Sequence, residues 1–167
     1  MYYFGYCTFL NDEERKKYFP KAKFVTKGYI ANHKVKFHAA GNQEDRGWCH
    51  IANNDDAWGH KALGLVYQHG PEYFEEADYD DFERCYVTVY GDDGKMYDCW
   101  TLRMSDPGKE IRPPNYYWEN VPKGLKDWEF PEEYIQLVFK TYDEAMPCPD
   151  ADRERPSIQP GKSADSR

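Results

Sequence analysis

The chain has 167 residues and a formal charge of −8, a length that suits one domain and a charge that excludes the basic stripe by which nucleic-acid binders displace counterions. Leu, Ile, Val and Phe number only 27, a share typical of disordered chains, but 15 Tyr and 5 Trp make up for that shortage, since each buries a large area with one polar tip to satisfy. The composition therefore predicts a folded chain with an aromatic core and an aromatic-lined pocket. No apolar run approaches the ~18 residues of a membrane span, and Met1-Tyr2-Tyr3-Phe4-Gly5 has no charged segment leading an apolar one, so neither a membrane partner nor a signal peptide is expected. Five cysteines, at 7, 49, 85, 99 and 148, contain no C-x-x-C pair. Reduced thiols in a cytoplasmic protein are the expectation.

In chain order, Tyr2–Tyr6 reads as a buried first strand and Asp12–Phe19 as a polar helix stopped by Pro20. Its basic run, Arg15-Lys16-Lys17, beside Asp12, Glu13 and Glu14, reads as a solvated helix face. Lys23–Asn32 and Lys34–Ala39 alternate apolar and polar residues as strands do, Gly47–Ala52 is a shorter candidate, and His60–Tyr67 reads as a central strand. Pro71–Phe82 has helix-compatible spacing. Cys85–Tyr90 and Lys95–Met104 flank Gly91-Asp92-Asp93-Gly94, a turn signal that predicts a hairpin. After Arg112-Pro113-Pro114 the chain turns helical, ending in a helix from Pro131 to Ala145 with Glu132 and Glu133 at its positive end. The expected class is α+β, a small mixed, largely antiparallel β-barrel or sheet with flanking helices over residues 1–146. From Pro147 to Arg167 the chain has four prolines and one large apolar residue, which predicts a disordered tail.

The five histidines lack i,i+4 spacing and the glycines form no phosphate-cradling loop, so neither a metal nor a nucleotide cofactor is expected. The strongest local feature is acidic: Glu72, Glu75, Glu76, Asp78, Asp80, Asp81 and Glu83 put seven carboxylates into twelve residues. They read either as a solvated face or as a face with one carboxylate turned inward, whose pKa burial would raise into the range of a proton shuttle.

Four segments in order then resemble the γ-glutamylcyclotransferase superfamily. The family's first-strand loop, F-x-Y-G-S-N-L, stands here as Phe4-Gly5-Tyr6-Cys7-Thr8-Phe9-Leu10, and its central strand G-V-V-W as Gly64-Leu65-Val66-Tyr67. The family's L-D-x-x-E-G, counted from that strand without a gap, falls on Ala77–Phe82, with Asp81 in place of the catalytic glutamate. The late pattern P-S-x-x-Y, G, L-P-x-x-Y is matched by Pro113–Tyr117, Gly124 and Phe130–Tyr134.

The resemblance implies cofactor-independent release of an amine from a γ-glutamyl amide, with 5-oxoproline formed when the substrate's own α-amine attacks its γ-carbonyl. Asp81 would be the acid/base. Tyr6, Cys7, Thr8, Phe9 and Leu10 would form the head-group loop, with Tyr117 in the pocket wall. Cys7-Thr8-Phe9 departs from Gly-Ser-Asn, and Asp81 is one carbon–carbon bond shorter than glutamate in a reaction sensitive to misplacements of about 1 Å. These departures carry the alternative: a catalytically degenerate member that acts as a small-ligand binding or protein-interaction module.

Overall fold

A computed structural model describes residues 1–75 and 79–157. Five strands close a mixed barrel in the order β1-β5-β2-β6-β7. β1 (Tyr2–Gly5) runs antiparallel to β5 (Lys61–Gln68) and meets β7 (Met96–Met104) in parallel at Tyr3 and Trp100. β5 continues antiparallel onto β2 (Lys23–Ala31), and β6 (Phe82–Gly91) forms the expected hairpin with β7. The barrel is thus α+β and largely antiparallel, as the patterning predicts. From these strands Phe4, Ile30, Leu65, Val66, Val89 and Trp100 are all buried in one core, which packs on both faces of the sheet.

Two glycines let backbone approach backbone. A Cβ on Gly64 would meet the Gly5 carbonyl oxygen at 2.4 Å and the Phe4 ring at 2.5 Å, so β1 and β5 fit together only with a glycine there. On α4 (Asn120–Asp127), a Cβ on Gly124 would meet the Leu10 carbonyl carbon at 2.4 Å. The glycine of the late motif therefore seats that helix against the loop that follows β1.

β3 (Lys34–His38) and β4 (Trp48–Ala52) form a separate antiparallel pair, Phe37 opposite Cys49 and Lys36 opposite His50. Because side chains alternate, Val35, Phe37, Cys49 and Ile51 join the main core from one face. Lys36, His38 and His50 line a polar groove on the other. α3 (Asn115–Trp118) and α5 (Glu132–Glu144) complete the helical side, where Trp118 stacks on Tyr142 at 3.8 Å. No helix among the described residues is long and apolar enough to cross a membrane.

Three expectations need correction. α1 (Asp12–Tyr18) is not a wholly solvated face: Glu14 and Arg15 are only 5% and 4% exposed. The Phe19 and Ala22 carbonyls and Asp12 accept the Arg15 N–H groups there, and the Tyr67 ring lies under its guanidinium at 4.8 Å. The acidic stretch is not one helix through Phe82: among the described residues α2 covers Glu72–Glu75, and Phe82 has already joined β6, paired with Met104. Glu76, Ala77 and Asp78 lie outside the described residues. The thiols are not all reduced, because Cys7 and Cys49 are bonded as a disulfide with Cα atoms 6.5 Å apart. This non-local contact is invisible in cysteine spacing.

Residues 147–157 of the segment read as a tail lie along the body. The Asp45 carbonyl accepts from Asp150 N–H at 3.0 Å and from the Cys148 thiol at 3.3 Å. Asn115 N–H donates to the Ala151 carbonyl at 2.8 Å, and the Arg155 guanidinium reaches Glu14. Polar groups and a salt bridge hold this stretch, which apolar content does not report. Residues 158–167 of the same segment lie outside the described residues.

Candidate functional site

The turn after β1 is a short 3₁₀ segment, Cys7–Leu10, wedged between β1 and α4. Asn11 locks its exit: the side-chain oxygen caps α1 by accepting the Glu13 N–H at 3.2 Å, and the amide donates to Asn120 at 2.8 Å. Tyr6 fixes its entry by donating its hydroxyl to the Leu102 carbonyl at 2.7 Å. Between them Cys7 takes φ +56°, the left-handed region that suits glycine and strains an L-residue. The loop keeps a glycine-like conformation with a cysteine in it, held by the bond to Cys49.

Against this loop lies a narrow cavity of about 60 Å³, room for a few ordered waters. Of the residues singled out from sequence, Tyr6, Cys7, Thr8, Phe9 and Tyr117 line it, so two segments more than a hundred residues apart in the chain meet there. Leu10 does not. It is buried behind the loop under Gly124, where it fixes the position of the turn.

Asp81 is not among the lining residues, although Tyr79 and Phe82 on either side of it are. Its Oδ2 is buried with no hydrogen-bond partner. Burial, reinforced by the neighbouring charge of Asp80, pushes its carboxyl above the usual range against the pull of Arg46. Asp81 thus stands beside the cavity, between two of its lining residues.

The cavity also holds residues that sequence patterning missed. Tyr79 lines it with a hydroxyl that is buried and has no hydrogen-bond partner, and burial pushes its pKa up, opposed by Arg84. An orphaned donor of this kind costs free energy unless something takes the bond. Glu14 is the carboxylate among the lining residues; Lys17 at 3.3 Å and Arg155 hold it. Cys49 contributes from β4, and its backbone N–H donates to the Tyr117 hydroxyl at 3.0 Å. Tyr3 could have been found from the alternation of β1, whereas Glu14 and Cys49 carried no signal because each depends on a distant segment. Among the described residues no group of three or more His, Cys, Asp or Glu is arranged to hold a metal.

The arrangement offers an aromatic pocket, a turn of glycine-like geometry, one orphaned hydroxyl and one carboxylate of raised pKa beside it. Such a site can hold a small molecule with a polar head and move a proton to or from it.

No family model and no curated protein matches the chain in sequence. Solved structures do match in shape. A γ-glutamyl cyclotransferase superposes with a TM-score of 0.68 at 17% identity, over 95% of this chain and 93% of that one. An uncharacterized protein from Homo sapiens gives 0.68 at 17% identity, over 95% and 92%. YkqA from Bacillus subtilis gives 0.68 at 18% identity, over 88% of this chain and 55% of YkqA, so the chain spans about half of that protein. The chain therefore shares the fold of these three proteins.

Proposed function

We propose that the protein cleaves a γ-glutamyl amide to 5-oxoproline and a free amine at the cavity beside residues 6–9. The observation that carries this reading is the meeting of Tyr6, Cys7, Thr8 and Phe9 with Tyr117 around one cavity. In the proposed reaction the substrate's α-nitrogen bonds to its own γ-carbon while Asp81 accepts the proton that this nitrogen loses. The bond from the γ-carbon to the leaving nitrogen then breaks, and Asp81 returns the proton to the departing amine. The raised carboxyl of Asp81 suits both halves of that exchange. The nucleophile is tethered within the substrate, so holding the γ-glutamyl chain folded supplies much of the rate. Tyr79 is placed to donate its unpartnered hydroxyl to the carbonyl oxygen as charge builds on it.

A second reading, a binding module without catalysis, is favoured by the absence of Asp81 from the cavity lining and by the disulfide on Cys7. A panel of γ-glutamyl amides separates the two. The enzyme reading expects free 5-oxoproline from at least one amide; saturable binding with no product supports the module.

A further inference from the structure

The geometry points to Cys7–Cys49 as a reversible thiol–disulfide site that sets the affinity of the cavity, its oxidised form being the one competent to bind. This regulation rests on the reading of the cavity as a γ-glutamyl site. Four observations place it there. Both cysteines line the cavity, so the bond is part of its wall. They are 42 residues apart, so the bond joins two elements that the chain does not otherwise connect locally. Cys7 stands at φ +56°, a conformation that an L-residue leaves unless something holds it. Finally, the N–H of Cys49 donates to Tyr117, so a single bond ties the loop, β4 and the pocket tyrosine into one wall.

The other three cysteines do not line the cavity. Burial, followed by the charge of Asp98, pushes the Cys99 thiol up to about 12. Burial also raises Cys85, which lies on β6, and Cys148, whose thiol is donated to the Asp45 carbonyl.

The exchange partner is a small-molecule disulfide, R–S–S–R, able to reach a cavity wall. One cysteine thiolate attacks it, giving a mixed disulfide and the first R–SH. The second cysteine attacks the mixed disulfide, closing the Cys7–Cys49 bond and releasing the second R–SH. The two cysteines give up two electrons and two protons, and R–S–S–R takes up both. A dithiol runs the sequence backwards. In the reduced state Cys7 relaxes from the left-handed region, the turn it anchors rotates, and the head-group loop loses its shape.

The test holds the full-length protein in oxidised or reduced dithiothreitol, neither of which carries a γ-glutamyl group. Alkylation followed by mass spectrometry reads the thiols, and the affinity for L-γ-glutamylethylamide is read as Kd, or as KM where it is turned over. The expected result is that Cys7 and Cys49 resist alkylation in the oxidising buffer and that reduction weakens affinity about tenfold, the scale set by one relaxed left-handed residue. Cys49→Ser binds as weakly as the reduced wild type in both buffers. Cys7→Gly, with no Cβ to strain, binds more tightly than the reduced wild type in both. Alkylation of both cysteines in the oxidising buffer overturns the proposal, as does equal affinity in the two buffers when the bond has formed. If the bond forms and no γ-glutamyl amide binds in either state, the γ-glutamyl reading falls and this regulation with it.

Discussion

The hydroxyl of Tyr117 accepts the backbone N–H of Cys49 at 3.0 Å, which fastens the helical side of the molecule to β4 at the cavity wall. Tyr117→Phe leaves that N–H without its acceptor. An unsatisfied backbone donor costs about 1–3 kcal/mol, so the unfolding free energy should fall by that amount, read as a lower denaturant midpoint with an unchanged slope. A wild-type midpoint would mean the bond does not support the wall.

Tyr79→Phe should behave in the opposite way. The hydroxyl removed is buried and unpartnered, so its loss leaves stability unchanged or raises it by up to about 1 kcal/mol. If that hydroxyl waits for a ligand, affinity for a γ-glutamyl amide or its turnover should drop about tenfold, the worth of one hydrogen bond. Calorimetric melting and a ligand titration on the same sample read the two signs together.

Gly124→Ala sets two effects against each other. Alanine favours a helix by about 1 kcal/mol over glycine, but the new Cβ would lie 2.4 Å from the Leu10 carbonyl carbon and 2.6 Å from the Asn11 nitrogen. Overpacking costs about 1–3 kcal/mol, and backbone atoms cannot rotate aside as a side chain can. The net effect is a loss, visible as a melting temperature lowered by a few degrees.

His50 gives the protein an acid-sensitive stability. It is buried on the groove side of β4, its Nδ1 accepts the Met104 N–H at 3.1 Å, and burial, followed by the charges of His38 and Arg103, lowers its pKa from 6.5 to about 4. A histidine depressed in the fold binds its proton more readily when unfolded. Stability is therefore complete above pH 6.5 and declines as pH falls toward 4, by about 3 kcal/mol at most. Unfolding measured at pH 7 and pH 5 should show this decline, and His50→Gln, which still offers an acceptor to Met104, should flatten it.

The strands were legible because their alternation was clean. β2 ends at Ala31 and β3 at His38, each one residue short of its predicted end, and the hairpin turn at Gly91-Asp92-Asp93-Gly94 falls where its residue types place it. Much of the cavity wall was legible too, since Tyr6, Cys7, Thr8, Phe9 and Tyr117 all reach it. What the sequence concealed depends on distant contacts. Glu14 sits among charges that look solvated until Arg155 folds back onto it, and Cys49 has no neighbour in sequence that announces Cys7. The helix expected over 71–82 does not run through Phe82 because Phe82 gains a cross-strand partner in Met104, and pairing outweighs local helical spacing.

The most direct measurement is release of 5-oxoproline from γ-glutamyl amides by the wild-type protein and by Asp81→Asn. The amide is nearly isosteric and cannot carry the proton, so the account predicts product from the wild type and a loss of about 10²–10⁴-fold in the variant, with its melting temperature retained. An Asp81→Asn variant that releases 5-oxoproline at the wild-type rate, or a wild type that releases none from any amide, would contradict it.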